Sequence, residues 1–184
     1  MRHDDNEQIL TKIQETIVRT GTLKDLEQLV YLNKSYYKQN LENINNGFLS
    51  FSYNKVFFKN IIKNQDLIVF VTKNKLLGYV LVNSVIETVH ITEIRNEYFL
   101  KCPQNSSRKI AFSYQILIDK QLQSTGFFYD AQLEYLKYFK KKYEILVSTV
   151  KKENHRSISA HVKADWIFID TTHDYFIIER KLFK

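Results

Sequence analysis

One short stretch of this chain could bind an anion through its backbone. An apolar run that predicts a strand is followed by Asp119-Lys-Gln-Leu-Gln123-Ser-Thr-Gly126, and the strongest helical pattern of the chain begins directly afterwards. The first turn of a helix has backbone N–H groups without intrahelical partners, and the helix dipole adds positive charge there. The loop is therefore a candidate phosphate or pyrophosphate site. The alternative is an ordinary strand-to-helix turn in which Thr125 caps the helix.

Two more polar residues lie further along the chain, near the end of the next predicted strand. Asn154 precedes a predicted short helix, and His161 follows seven residues later in that helix. An Asn in this position can cap the helix without any ligand, or it can also face a bound molecule. An imidazole titrates near neutral pH, so His161 could transfer a proton. It could equally be a hydrogen-bonded core residue.

The elements that must position these residues can be read from periodicity and turn signals. The sequence predicts helices at Asp4–Lys12, Thr22–Asn33, Asn54–Lys63, after Gly126 and at Asn154–Ala164, with strands at Glu15–Thr20, Asp66–Thr72, Leu76–Val82, Lys109–Asp119, Glu144–Val150, Trp166–Asp170 and Tyr175–Lys181. A turn is expected at Asn43–Gly47. In the helix Asn54–Lys63, the side chains expected to face inward are Val56, Phe57, Ile61 and Ile62. The segment Ser84–Leu100 is left open, because its helical spacing competes with its β-branched residues.

Composition excludes several classes of protein. The 184 residues suit a single domain, residues 1–184, and contents of 44% hydrophobic and 26% charged residues are typical of a globular chain. Cys102 is the single cysteine, so an intrachain disulfide is excluded. The net charge of +7 comes mainly from scattered Lys without an Arg cluster, which does not favour a nucleic-acid partner. No membrane segment, metal site or signal peptide is indicated, so we expect a soluble cytoplasmic protein.

Taken together, the element order and three local patterns resemble GNAT-type N-acetyltransferases from about Thr16 to Leu182. The run Ile116–Gly126 resembles the fourth strand and phosphate loop of that family. Val147–Asn154 resembles its fifth strand, and Asn154–Trp166 resembles its closing pattern. The resemblance implies an α/β fold: a mixed, mainly antiparallel central sheet, flanked by helices and splayed between the fourth and fifth strands.

The resemblance also implies acetyl-CoA as cosubstrate and a set of site residues. Backbone amides of the loop would bind the pyrophosphate, the strand before it would follow the pantetheine arm, and Asn154 would contact the cofactor. The loop residues are Gln123, Ser124, Thr125, Gly126, Phe127 and Phe128, and those along the arm are Leu117, Ile118 and Asp119, Ile118 through its backbone. His161 occupies the place where many members carry a Tyr that protonates the departing thiolate.

Two positions depart from the family pattern, and one role is unfilled. Phe128 stands where the family usually has a small residue, so either its ring points elsewhere, for example into the core, or the phosphate site is altered. Asp165-Trp166 replaces the usual Gly-Phe pair. No residue is assigned as general base.

The predicted function is acetyl transfer to the amine of a small molecule or peptide of unknown identity. The alternative is a non-catalytic acyl-CoA-binding or sensor protein of the same fold. A homodimer is left open.

Overall fold

The computed structural model describes residues 15–37, 48–73, 75–83, 89–123 and 125–182. The predicted helix Asp4–Lys12, the turn Asn43–Gly47 and Ser124 lie outside these ranges. Along the described chain, the elements are β1 Ile17–Thr20, α1 Leu26–Ser35, α2 Lys55–Lys63, β2 Leu67–Thr72, β3 Lys75–Asn83, α3 Val89–Lys101, β4 Ile110–Ile118, α4 Phe127–Phe139, β5 Ile145–Lys151, α5 His155–Lys163, β6 Ile167–Thr171 and β7 Tyr175–Lys181.

The strands form one seven-stranded sheet in the order β1-β2-β3-β4-β5-β7-β6. Every neighbouring pair is antiparallel except β4 with β5, which is parallel. Pairing between β4 and β5 joins Ile110–Phe112 to Ile145–Val147. Among the described pairs, none joins residues 115–118 of β4 to β5, although those residues still pair with β3. The predicted mixed sheet with a splay at this point is confirmed.

Helices cover both faces of the sheet. On one face, α4 packs Phe127, Ala131, Tyr135 and Phe139 onto the strands, and Ile158 of α5 packs against the same cluster. On the other face, α1 and α2 cover β2 and β3, while α3 covers β4, β5 and β7. Both faces of the central strands are therefore buried, as their continuous apolar runs predict.

The open segment Ser84–Leu100 contains helix α3, and residues 84–88 lie outside the described ranges. Ile91, Ile94 and Tyr98 recur at helical spacing and are at most 5% exposed. Burial of this face outweighs the low helix propensity of its β-branched residues.

The expected inward face of α2 is partly wrong. Asn54 caps this helix by accepting the N–H of Phe57, and the buried residues are then Phe58 and Ile61. Val56, expected to face inward, is 65% exposed. The apolar residues of this short helix extend over more than one face, so periodicity alone did not locate the buried stripe.

Candidate functional site

A cavity of about 490 Å³ lies at the splay of the sheet. It is bounded by the end of β4, the glycine loop, the first turn of α4, one side of α5 and two residues of the segment before α2. Its lining residues are Tyr36, Phe48, Leu49, Ile116, Leu117, Ile118, Leu122, Gln123, Gly126, Phe128, Tyr129, Asn154, Arg156, Ser157, Ser159, Ala160, His161, Lys163 and Ala164.

Internal hydrogen bonds fix the loop between β4 and α4. Leu122 donates its N–H to the carbonyl of Asp119 at 2.9 Å, and the Gln123 amide donates to the carbonyl of Ile118 at 2.8 Å. The Thr125 hydroxyl donates to the carbonyl of Leu122 at 2.7 Å. Within the described residues, the backbone N–H groups of residues 125, 126 and 128 meet no acceptor. The start of α4 therefore presents, beside the cavity, donors that no described residue accepts from, and such an arrangement can bind anions.

Gly126 is required by its backbone conformation. Its φ is +85°, in the left-handed region, and it immediately precedes α4. A Cβ added there would meet no atom within 4 Å, so space is not the constraint. An L-residue other than Asn or Asp would be strained at this φ.

Most of the sequence-predicted site residues line this cavity, and three of the described ones do not. Those that line it are Leu117, Ile118, Gln123, Gly126, Phe128, Asn154 and His161. Asp119 instead accepts the N–H of Gln121 at 3.0 Å, and the Thr125 hydroxyl is used within the loop. Phe127 is buried in the core, where its ring meets that of Phe70 edge to face at 5.3 Å.

Phe128 packs against the core cluster beneath α4, as expected, and also borders the cavity. Its half-buried ring lies edge to face against His161, with ring centroids 6.2 Å apart. The fully buried position belongs to the preceding residue, Phe127, which is 4% exposed. In the first turn of a helix two neighbours cannot face the same side, so burial of Phe127 turns Phe128 toward the cavity.

Asn154 acts as a cap for α5 and also anchors a neighbouring segment. Its side-chain oxygen accepts the N–H of Ser157 at 3.2 Å, and its amide donates to the carbonyl of Phe48 at 3.1 Å. The residue is 6% exposed and lines the cavity. Capping is therefore observed, and the side chain ties the start of α5 to one cavity wall.

His161 is a neutral buried imidazole. Its Nδ1 lies 2.7 Å from the carbonyl oxygen of Ser157, and since a carbonyl can only accept, Nδ1 carries the proton. Burial lowers the pKa of His161 to about 4, although the Ser157 hydrogen bond opposes this shift. The ring is uncharged at neutral pH, with Nε2 as its acceptor nitrogen. This protonation state suits taking up a proton better than giving one to a thiolate.

A second cavity of about 80 Å³ adjoins the first. The two share Phe48, Leu49, Ile116, Asn154, Ser157 and His161. The smaller cavity also reaches Gln115 on β4 and Ser148, Thr149 and Lys151 on β5. The splay therefore holds two adjoining cavities with His161 in the wall of both.

Sequence reasoning missed several lining residues. Arg156 and Lys163 of α5 bring positive charge to the larger cavity. The two are seven residues apart, about two helical turns, so their shared face of α5 was a usable signal. Tyr36 also lines it, and its hydroxyl accepts the N–H of Lys120 at 2.6 Å. Burial raises the pKa of Tyr36, so this phenol stays neutral. Of the described residues, no Asp or Glu lines either cavity.

The arrangement of strands and helices is that of the GNAT acetyltransferases. The PaiA N-acetyltransferase of Thermoplasma acidophilum, solved in complex with coenzyme A, is 17% identical, with 90% of this chain and 98% of that one covered and a TM-score of 0.65. YncA of Salmonella typhimurium, solved with its cofactor acetyl-CoA, is 9% identical over 92% and 95% of the two chains, with a TM-score of 0.61. The spermidine N-acetyltransferase of Vibrio cholerae, solved with CoA and spermine, is 14% identical over 92% and 96%, with a TM-score of 0.58.

Comparison of the amino-acid sequence alone identifies no relative of this chain. No protein-family model and no curated protein sequence matches the chain. Identities of 9–17% establish a shared fold, so what this chain binds must be argued from its own residues. In the described ranges, no helix has the length and apolar character needed to cross a bilayer.

Proposed function

We propose that this protein is an acetyl-CoA-dependent N-acetyltransferase that acts on a small-molecule or peptide amine. The observation that carries the proposal is the start of α4. There the N–H groups of residues 125, 126 and 128 meet no acceptor among the described residues, beside a cavity that also has Arg156 and Lys163 in its wall. Backbone donors, the helix dipole and two cations together suit a pyrophosphate. The splay beside residues 115–118 leaves room for an extended arm along β4.

The lining of the larger cavity suits both the apolar arm and the charged phosphates of acetyl-CoA. The larger cavity is mostly apolar where Ile116, Leu117 and Leu122 line it, and cationic toward α5. Acetyl-CoA supplies a thioester whose carbonyl carbon an amine nitrogen can attack, with loss of the C–S bond. His161 lies in the wall of both cavities, so we place the reacting end of the arm where the two cavities meet.

His161 enters this proposal as the residue that manages a proton at the junction of the two cavities. An attacking amine must lose a proton during the reaction. A neutral imidazole whose Nδ1–H is held by Ser157 offers Nε2 as an acceptor for that proton. This role reverses the direction expected from the family Tyr, because burial keeps the ring deprotonated.

The proposal is tested by acetyl-CoA binding to two variants of Gly126. Gly126→Asp and Gly126→Asn have nearly the same size, and both tolerate the left-handed backbone, but the Asp variant alone adds a negative charge. We expect the Asp variant to bind about tenfold more weakly than the Asn variant, by calorimetry at low salt. Equal affinities in two folded variants would place the pyrophosphate elsewhere.

A non-catalytic acyl-CoA-binding protein is the second candidate. It is favoured by one observation: the lining of both cavities includes no carboxylate from the described residues. Release of free CoA thiol on incubation with acetyl-CoA and a panel of amines separates the two. Tight binding without amine-dependent thiol release would identify the binder.

A further inference from the structure

A chain of hydrogen bonds runs from the backbone of residue 53 to the smaller cavity. The N–H of Tyr53 donates to Oδ1 of Asn33 at 2.7 Å. A backbone N–H can only donate, so this contact identifies the Asn33 atom as the oxygen and fixes the orientation of its amide. Asn33 is 0% exposed, so bulk solvent does not reach this position.

The direction of the first bond sets the direction of the others. Nδ2 of Asn33 donates to the Tyr79 oxygen at 2.7 Å, so the Tyr79 proton must point away from Asn33. It points to Oε1 of Gln115, also at 2.7 Å. The Gln115 amide is therefore fixed with its oxygen toward Tyr79 and its NH₂ group on the other side.

The NH₂ group of Gln115 has no acceptor among the residues that the structure describes. Gln115 is half-buried and lines the cavity of about 80 Å³ beside His161. Burial raises the pKa of Tyr79, so its phenol keeps the proton that holds the amide in place. The result is a neutral donor at the wall of the smaller cavity, oriented by Asn33 and Tyr79, both of which are 0% exposed.

We propose that the smaller cavity binds the acceptor and that Gln115 selects amines with a carbonyl oxygen on the neighbouring carbon. Such α-amino carbonyl compounds include amino-acid amides and the N-termini of peptides. Nε2 of Gln115 donates to that oxygen while the amine faces His161. This inference rests on the proposed acetyl transfer and names its substrate class.

Charge and size support this class over polyamines. A polyamine brings further ammonium groups, and no described carboxylate lines the cavity to receive them. Lys151, which lies in the wall, adds positive charge instead. The volume of about 80 Å³ suits a compact group rather than a long chain.

The experiment compares glycinamide with butylamine, which have equal numbers of non-hydrogen atoms but differ in the carbonyl. The readout is the ratio of their kcat/KM values, measured as CoA thiol release, in the parent and in Gln115→Glu. The Glu side chain still accepts the Tyr79 proton but turns an acceptor toward the cavity. We expect the glycinamide-to-butylamine ratio to fall about 3- to 10-fold, the effect of one neutral hydrogen bond. Taking the ratio between variant and parent cancels the different basicities of the amines.

Two Tyr→Phe variants make a matched control pair. Tyr79→Phe removes the hydroxyl that orients Gln115, so its amide can turn over and the ratio should fall in the same direction by a smaller factor. Tyr98→Phe makes the same change in another buried tyrosine, whose hydroxyl donates to Glu179 rather than to a cavity residue. We expect it to leave the ratio unchanged.

A binding readout keeps the test decisive if no amine turns over. The side-chain NH₂ signals of Gln115, assigned by their loss in Gln115→Glu, should shift in NMR spectra on titration with glycinamide and not with butylamine. If glycinamide causes this shift but no amine is acetylated, the proposed acetyl transfer is refuted and the binding site at Gln115 is supported. In the NMR titration, equal shifts with both amines, or no shift with either, would overturn the role of Gln115. In the kinetic comparison, an equal loss of turnover for both amines in Gln115→Glu would do the same.

Discussion

Two buried tyrosines stand in nearly identical hydrogen-bonded arrangements, yet at different places in the fold. Tyr79 accepts from the Asn33 amide at 2.7 Å and donates to Gln115 at 2.7 Å. Tyr98 accepts from the Asn105 amide at 2.7 Å and donates to Glu179 at 2.6 Å. Both phenols are 0% exposed.

The two networks differ in how they end. The Tyr98 network ends on a carboxyl group that is 2% exposed, and neither Tyr98 nor Glu179 lines either cavity. The Tyr79 network ends on a neutral amide that lines a cavity. The same local chemistry therefore joins α3 to β7 through Tyr98 in one region. In the other, it orients the Gln115 amide at the wall of the smaller cavity.

The largest effect is expected on the structural side of this comparison. Tyr98→Phe leaves the Glu179 carboxyl without its hydroxyl donor and the Asn105 amide without its acceptor, both in the interior. We expect the free energy of unfolding to fall by about 3 kcal/mol, measured by urea denaturation at pH 7.5. A loss no larger than that of Tyr79→Phe would remove the distinction between the networks.

His161 gives a second test of the comparison, on the side of the cavities, where the buried groups are neutral. Its pKa is lowered from 6.5 to about 4 in the folded protein, so the unfolded chain binds the proton first as pH falls. Stability is retained above pH 6.5 and lost between pH 6.5 and 4, with about 2 kcal/mol gone by pH 5. Urea denaturation at pH 7.5 and pH 5.0 measures this loss.

His161→Asn supplies the control for that measurement, because it cannot titrate. The difference in stability between the two pH values should be smaller in this variant by about 2 kcal/mol. If parent and variant lost the same amount, the acid sensitivity would come from other groups.

The smallest effect is expected for the stability of Tyr79→Phe, at about 1 kcal/mol. All partners of Tyr79 are neutral, and Gln115 can turn its amide toward the adjoining cavity when the hydroxyl is lost. Urea denaturation of Tyr79→Phe and Tyr98→Phe under the same conditions compares the two losses of unfolding free energy. An equal loss of unfolding free energy in the two variants would indicate that Gln115 does not turn its amide toward the cavity when the Tyr79 hydroxyl is lost.

The sequence predicted the framework of the fold well, because strong local signals coincide there. The apolar runs of β2 and β5 have few alternatives to a doubly buried strand, and Gly126 occupies the left-handed position that its loop needs. The capping of α5 by Asn154 follows from residue type and position. The pattern around α4 located the anion-binding candidate for the same reason.

What the sequence could not predict depends on contacts between distant segments. Asn33 and Gln115 are 82 residues apart, and neither belongs to a motif. Phe127 takes the buried position beside Phe70 while its neighbour Phe128 also borders the cavity, and two adjacent Phe residues do not reveal which of them will be buried. The protonation state of His161 depends on burial, which its residue type does not reveal.

The parting of β4 from β5 has a consequence for motion. The described pairs that join the two halves of the sheet lie at one end, at Ile110–Phe112 and Ile145–Val147, and α3 packs across that end with Ile91, Ile94 and Tyr98. The other end, which holds both cavities, lacks such cross-links among the described residues. There the two halves are joined by side-chain contacts, such as those of Asn154 with the carbonyl of Phe48 and of Phe128 with His161. A change in the width of the cleft therefore requires side-chain contacts to move, but no strand pair at the closed end to break.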